Sequence, residues 1–285
     1  MHEPMKAVSR FPIWRLIDWK EFLSAFKTFP VNHRLIWSFA KRDLTGRYKG
    51  SYLGALWSFI NPLVMMIVYT IVFAVFLKIR FRATGGPLDS TLYILAGIIP
   101  WMAFQESVGH STTVIAENVN LIKKMIFPSE ILPIKVALSC LMSQSISFGI
   151  LLLGQWAIHR ELYGTMVQLP LIVLFQFVFT LGICWFVASL GVFVKDISQM
   201  IGLLLLVLFF MTPVMYPISI FPQGLVKLIG LNPMAVIITS YRSLIIDGQW
   251  VAWQTLVKLA GSSFAVFLMG FFWFIKTKKL FVDVL

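Results

Sequence analysis

Six long runs of apolar residues divide the sequence, and each is bounded by charged residues or by proline and glycine. They cover residues 53–77, 92–109, 136–157, 169–194, 200–216 and 258–275. As an α-helix the first run would measure roughly 37 Å, which exceeds the roughly 30 Å hydrocarbon core of a bilayer. The pattern therefore predicts an all-α integral membrane protein with six transmembrane helices.

The distribution of basic residues predicts the orientation of these helices. With six spans both termini lie on one side of the membrane, and 17 of the 24 Lys and Arg residues then fall on that side. Cytoplasmic segments of membrane proteins carry such an excess of basic residues. We therefore predict that both termini are cytoplasmic. The composition, with 59% hydrophobic and only 13% charged residues, agrees with a chain embedded in lipid.

The residues before the first span are basic and aromatic. With Asn32 as a candidate N-cap, apolar side chains form a helical stripe from Leu35 to Tyr52, and the basic residues lie outside it. Such a segment beside a membrane span is typical of an interfacial helix that contacts anionic lipid rather than nucleic acid, despite the net charge of +12. The predicted domains are an N-terminal cytoplasmic or interfacial amphipathic region, 1–52, and a six-span transmembrane domain, 53–285.

The connection between the second and third spans contains a further predicted helix. Apolar residues recur at helical spacing over residues 111–126, and Glu117 and Asn118 lie on the polar side. We expect a short amphipathic helix outside the bilayer. It either docks on a soluble partner or lies flat on lipid.

A second unusual connection covers residues 218–246, which are apolar but interrupted by proline and glycine. Asn232 as N-cap and Pro233 at the first helical position predict a helix that ends near Ile246. At roughly 21 Å this helix is too short to cross a membrane. We therefore predict a re-entrant hairpin with external re-entrant helices, whose broken backbone must be satisfied by protein or water.

Motifs for ATP hydrolysis and for common catalytic sites are missing from the sequence. The chain has no Gly-Lys dipeptide, hence no phosphate-binding loop, and no G-x-S-x-G turn. Its four histidines and two cysteines show no metal-ligand spacing. The predicted span cores lack ionisable residues, with Glu106 as the closest approach, which disfavours an ion-coupled carrier. We expect no catalytic or metal site and an ATPase partner.

Three motifs point to one family of membrane proteins. The most specific is RDLTGRYKGSYLGALWSFINP at 42–62. It is supported by ENVNLIK at 117–123 followed by Phe127-Pro128, and by Asn232-Pro233-Met234. With these motifs the chain resembles the membrane subunit of type-2 ABC exporters, in particular the branch that exports lipid-linked O-antigen polysaccharide. Teichoic acid and capsule exporters are relatives of that branch.

The resemblance implies a homodimer in the bacterial cytoplasmic (inner) membrane, with residues 53–285 as a six-span type-2 ABC domain. Each subunit would rest on an ABC nucleotide-binding ATPase subunit, which binds ATP and Mg, so that this chain needs no cofactor of its own. The residues implied in ATPase coupling are Glu117, Asn118, Leu121 and Ile122. The lipid-linked glycan would pass through a channel at the dimer interface.

Two sets of residues are candidates for substrate contact. Basic and aromatic residues where the interfacial helix meets the first span could receive the phosphate-bearing lipid end or serve only as membrane anchors. They are Arg42, Arg47, Tyr48 and Lys49. Aromatic residues on one face of the first span and at comparable depth on the fifth could line the channel or simply pack. They are Tyr69, Phe73, Phe76, Phe209 and Phe210.

Other functions remain open on the sequence alone. The permease could carry teichoic acid, capsule, or another lipid or drug. From a different class, the chain could be an integral-membrane transferase acting on lipid-linked sugars, although the spans supply none of the carboxylates or histidines that such an enzyme needs. A non-catalytic membrane scaffold is the third interpretation.

Overall fold

The computed structural model describes residues 29–46, 51–76, 86–124, 128–218 and 221–285, and every regular element within these ranges is helical. The all-α prediction is confirmed for this part of the chain. The helices are α1 (His33–Gly46), α2 (Trp57–Tyr69), α3 (Pro87–Ser111), α4 (Val114–Glu117), α5 (Val119–Lys124), α6 (Ile131–His159), α7 (Leu169–Phe193), α8 (Ile197–Met211), α9 (Gln223–Ile229), α10 (Pro233–Ile245), α11 (Trp253–Thr277) and α12 (Phe281–Val284).

Within the described ranges, three helical segments are long and apolar enough to cross a membrane, judged by length and composition. They are Ile131–His159, Gly164–Phe193 and Trp253–Leu280, which contain α6, α7 and α11. The other predicted positions hold α2, which continues as a π-helix over Thr70–Phe76, together with α3 and α8. In the part of the chain that the structure describes, three helices therefore meet the length and hydropathy of a membrane span.

The predicted end of the span 200–216 is wrong, because helix α8 ends five residues earlier, at Met211. Its 15 residues measure about 22 Å at 1.5 Å per residue, less than the hydrocarbon core. Thr212 takes an extended conformation, with φ −104° and ψ 139°. The residue before a proline is disfavoured in helical geometry, and Pro213 follows directly. The chain therefore leaves the helix inside a buried region.

Helix α7 lies at the centre of the bundle, and α11 packs along it. At their closest approach a Cβ atom on Gly182 would overlap the backbone of Val266 and Phe267, and one on Gly270 would overlap the Gly182 carbonyl. Small residues allow such close approach between helices in membranes, where van der Waals packing replaces the hydrophobic effect. These two glycines set the distance between α7 and α11.

Polar contacts fix both ends of α6. Near its C-terminus His159 Nε2 lies 2.7 Å from Asp89 Oδ1 at the start of α3, so that α3 and α6 run antiparallel. Before its N-terminus the Glu130 carboxylate is buried and lies 3.5 Å from Lys278 Nζ, which follows α11. The indole of Trp185 on α7 donates to the Glu130 carbonyl at 3.1 Å. The start of α6 is therefore bonded to two other helical segments.

The predicted interfacial helix is present as α1, but it is shorter than the sequence stripe indicated. The described part of α1 covers His33–Gly46, and Tyr52 lies in a turn outside the helix with a fully exposed side chain. Ile36 and Ala40 are buried where α1 packs on α6. The hydroxyl of Ser139 on α6 donates to Asp43 Oδ2 at 2.7 Å. α1 is therefore bonded to the bundle as well as carrying an exposed basic face.

The single amphipathic helix predicted within 111–126 is wrong, because the structure has two short helices, α4 and α5. They meet at Asn118, whose φ of −111° and ψ of 23° are not helical. The Asn118 side chain donates to the Val114 carbonyl at 2.7 Å. Such local side-chain bonds compete with continued helix, which explains the break.

The predicted start of α10 is confirmed in detail. Asn232 is its N-cap, and the Asn232 side chain accepts a hydrogen bond from the Met234 N–H at 3.0 Å. Pro233 occupies the first helical position, where its missing N–H costs nothing. The helix ends at Ile245, within one residue of the predicted end.

Candidate functional site

A cavity of about 800 Å³ lies between α2, α3, α6 and α8. Its wall combines hydroxyl and amide side chains with aromatic rings and aliphatic residues. The polar and aromatic members are Asn61, Tyr69, Trp101, Gln105, Glu106, His110, Ser143, Gln144, Ser147 and Phe209. A concave, mostly apolar surface with a few convergent polar groups is the usual form of a ligand site.

The two ends of this cavity differ in polarity. Because α3 runs antiparallel to α6, the C-terminal part of α3 lies at the same end as the N-terminal part of α6. That end carries Glu106 and His110 of α3. The other end is formed by apolar side chains, among them Leu95 and Leu151. The cavity therefore has a polar end and an apolar end.

A buried polar network forms the wall midway along α6. Gln144 lines the cavity, and its side-chain amide exchanges two hydrogen bonds with that of Gln176 on α7, at 2.9 and 2.8 Å. The hydroxyl of Tyr241 donates to Gln176 Oε1 at 2.8 Å. Gln176 Nε2 also donates to the Pro100 carbonyl at 3.1 Å. Since buried amides are stable only when paired, this network fixes α3, α6, α7 and α10 in one arrangement.

The structure brings together two of the five aromatic residues that the sequence proposed as channel lining. Tyr69 and Phe209 both line the cavity, and the Phe209 ring centroid lies 5.7 Å from that of Trp101. Phe76 is 72% exposed and Phe210 is 60% exposed, so these two point to the surface of the chain. Phe73 lies in the π-helical stretch with Phe76.

The residues proposed for the lipid headgroup are described only in part. Arg42 lies in α1 with an exposed side chain. Arg47, Tyr48 and Lys49 lie outside the described residues. The exposed face of α1 also carries Trp37, so a basic and aromatic surface is present at this helix.

The proposed coupling residues lie on the two short helices α4 and α5. Glu117 is exposed, and its Oε1 accepts a hydrogen bond from the Thr113 hydroxyl at 2.6 Å. Asn118, Leu121 and Ile122 are half-buried, and Ile122 packs against the core. Val114 and Ile115 of α4 are fully buried. The segment is thus attached to the bundle by α4 and presents an exposed polar edge.

Sequence reasoning missed Arg242 and the Gln144–Gln176 pair. Arg242 is only 2% exposed, although a basic residue just before Asp247-Gly248 has the sequence context of a solvated helix end. Its guanidinium lies 4.0 Å above the ring of Tyr93 on α3. The signal for the glutamines was present, because an amide inside a predicted span needs a partner within the protein.

Comparison with known proteins now identifies the family. The model of the ABC-2 type transporter family matches residues 34–246. The chain therefore belongs to the ABC-2 type transporters, and it is a multi-pass membrane protein and the membrane component of a transporter.

Individual relatives within that family share most of the chain. An O-antigen export system permease protein of Myxococcus xanthus is 31% identical over 236 residues, which cover 80% of this chain and 86% of the relative. Two O-antigen export system permease proteins of Klebsiella pneumoniae are each 28% identical over 250 residues, covering 86% of this chain and 92% of each relative.

Proposed function

We propose that this chain is the membrane subunit of an ATP-driven exporter that moves lipid-linked O-antigen polysaccharide across the bacterial inner membrane. The observation that carries the proposal is the cavity, in which amide and hydroxyl groups face the same space as Tyr69, Trp101 and Phe209. Sugars present hydroxyl groups at their edges and C–H faces that pack on aromatic rings, so this wall suits a glycan. The similarity to O-antigen export permeases over most of the chain supports it.

The transport unit in this proposal is a homodimer with six membrane-crossing segments in each subunit. They are α2 with its π-helical continuation, α3, α6, α7, α8 with the non-helical residues that follow it, and α11. α2 and α8 border the cavity, and both expose many large apolar side chains, among them Ile67 and Leu203. A second copy facing these helices would convert two half-open cavities into one enclosed path. Both termini would lie in the cytoplasm, and α9 and α10 would form the external re-entrant hairpin.

Energy would come from a separate ABC ATPase subunit, which binds ATP and Mg. The exposed edge of α4 and α5, with Glu117, Asn118, Leu121 and Ile122, would form the contact with that subunit. α4 is buried against α7, and α6 begins a few residues after α5. A displacement of α4 and α5 by the ATPase would therefore move α6 and α7 directly.

The lipid end of the substrate would be received at the membrane surface by the basic and aromatic segment that contains α1. Arg42, Arg47 and Lys49 supply donors for a phosphate, and Tyr48 supplies an interfacial ring. The glycan would then enter the polar end of the cavity.

The proposal is tested in a host that assembles lipid-linked O-antigen but lacks its own exporter. This chain is expressed with its ATPase partner, and O-antigen at the cell surface is measured with an impermeant antibody. We expect surface O-antigen only when both subunits are present and the ATPase is active. The O-antigen assignment is wrong if O-antigen stays inside cells that contain the assembled complex, while a lipid-linked teichoic acid or capsule glycan stimulates ATP hydrolysis by that complex.

A further inference from the structure

The chain after α8 leaves helical geometry inside the protein rather than at its surface. Thr212 and Val214 are each 0% exposed. The carbonyls of Pro213, Val214 and Tyr216 lie in a segment that is not helical, so no helix supplies their donors. A backbone carbonyl without a partner costs several kcal/mol in an apolar medium. This buried segment, 212–216, therefore needs donors from elsewhere in the fold.

The guanidinium of Arg242 on α10 supplies those donors. Its Nη1 donates to the Pro213 carbonyl at 2.6 Å and to the Tyr216 carbonyl at 3.4 Å, and its Nη2 donates to the Val214 carbonyl at 2.6 Å. Its Nε donates to the Tyr93 carbonyl on α3 at 3.0 Å. Arg alone among side chains carries five N–H donors in one rigid plane, so it can serve several carbonyls at once.

The surface of α3 is shaped to accept this guanidinium. A Cβ atom on Gly97 would overlap Arg242 Nη2 and the Val214 carbonyl. The ring of Tyr93 lies one turn away from Gly97 and faces the cation at 4.0 Å. A cation above an aromatic ring gains favourable electrostatic energy, and more so when it is desolvated. Asp247, just after α10, adds a further favourable interaction with the charge.

A second residue of α10 holds the other end of the same segment. The Asn232 side chain donates to Thr212 Oγ1 at 3.0 Å while it caps α10 through Met234 N–H. The segment 212–216 is thus bonded to the first and the last turn of α10. Because Phe209 precedes this segment by three residues and Trp101 follows Gly97 by four, the bonded region adjoins the part of the cavity wall that these two rings form.

We propose that Arg242 is a positioning residue, which replaces the missing backbone donors of segment 212–216 and thereby fixes the end of α8, with Phe209, against Trp101 of α3 in the cavity wall. This role goes beyond the proposed function and does not depend on which substrate is carried. Its consequence is local: loss of the guanidinium frees segment 212–216, whereas the packing of α7 against α11 is retained.

The test measures the accessibility of single thiols in the complex with the ATPase, held in lipid nanodiscs. Cys140 and Cys184 are replaced by alanine, and Val214→Cys reports on the segment. Ser263→Cys on α11, where Ser263 is 1% exposed, reports on the bundle in a parallel sample. With Arg242 present, both thiols should react slowly with a maleimide. Arg242→Gln should raise the rate at Val214→Cys by about tenfold or more, because several buried bonds are lost, without raising the rate at Ser263→Cys.

Two further variants test whether the change in maleimide rate is specific to the guanidinium of Arg242. Arg242→Lys keeps the charge but loses the planar set of donors, so its rate should fall between those of the parent and Arg242→Gln. Lys227→Gln removes an exposed cation from the neighbouring helix α9 and should leave both rates unchanged. Export measured in the same series should fall with Arg242→Gln and stay at the parent level with Lys227→Gln.

An unchanged rate at Val214→Cys in Arg242→Gln would overturn the proposal, and so would an equal rise at both thiols, which indicates general loosening. If Arg242→Gln does not assemble, the rates at the two thiols are compared in Arg242→Lys and in Gly97→Ala instead. The methyl group of Gly97→Ala would displace the guanidinium of Arg242 without removing it. If none of the three assembles, Arg242 is required for folding, and the local positioning role is rejected.

Discussion

The side-chain amides of Gln144 on α6 and Gln176 on α7 donate to each other across the helix interface, at 2.9 and 2.8 Å. Reciprocal bonds of this kind leave neither amide free to rotate. Gln144 also faces the cavity, so its orientation there is set by a residue behind the wall. The polarity of the wall is therefore a property of the pair rather than of one glutamine.

The first prediction concerns this pair. Gln176→Leu should destabilise the purified complex by about 1–3 kcal/mol, because the amide of Gln144, the hydroxyl of Tyr241 and the Pro100 carbonyl each lose a partner. Replacing both glutamines by leucine should cost less than the sum of the single changes, since the second change removes a group that the first left unpaired. Thermal unfolding of the four proteins measures the coupling. Additive losses would show that the two amides do not depend on each other.

The second prediction separates aromatic residues that line the cavity from those that face outward. Tyr69→Leu combined with Phe209→Leu should lower glycan export by about tenfold, because two stacking surfaces are lost while apolar area is retained. Phe186→Leu combined with Phe264→Leu, on α7 and α11 away from the cavity, is the matched control and should export at the parent level. Surface glycan is measured at equal protein abundance. An equal loss of glycan export in the two double variants would show that all four rings contribute only to packing.

The third prediction tests the close approach of α7 and α11. Gly270→Ala should lower stability by about 1–3 kcal/mol, because the added methyl overlaps the Gly182 carbonyl and forces the helices apart. Gly261→Ala lies on the same helix with open space around it, and should be neutral or slightly stabilising. The midpoint of thermal unfolding distinguishes them. A similar midpoint for both would mean that α11 can shift without cost.

The fourth prediction concerns the contact with the ATPase. Leu121→Asp should weaken binding of the ATPase by about tenfold or more, because a charge would be placed in the proposed interface. Ile122→Asp is less informative, since Ile122 also packs against the core of its own chain. Val167→Asp, at an exposed position outside the proposed contact, is the control. Affinity is measured by titrating the ATPase onto the chain in nanodiscs. Unchanged affinity in Leu121→Asp would remove this residue from the contact.

The parts of the fold that the sequence predicted well depend on neighbours along the chain. The start of α10 follows from Asn232 and Pro233 alone, because a cap acts on the N–H groups of the next residues. The break at Asn118 was missed although it is also local. The apolar spacing continues across it, and periodicity takes no account of a side chain that bonds its own preceding turn.

The parts that could not be predicted depend on distant segments. The acceptors of Arg242 lie on the chain after α8 and on α3, and no spacing near residue 242 indicates them. The direction of the Phe210 side chain, which is exposed on this chain, could not be predicted for a similar reason. Phe209 and Phe210 are adjacent, so they must lie on different faces of α8, and only the packing of α8 decides which one faces the cavity.

Helix α6 packs against α1, α2, α3, α4 and α7, and it lines the cavity that the transport proposal uses. Its 29 residues make a rod roughly 43 Å long, so a tilt of about five degrees moves one end by almost 4 Å relative to the other. Near one end it is tied to α1 through Ser139 and Asp43, and it begins shortly after α5. Midway it presents Gln144 to the cavity. In the transport proposal, a small tilt of α6 started at the membrane surface would therefore grow along its length and would change the width of the path without any helix unfolding.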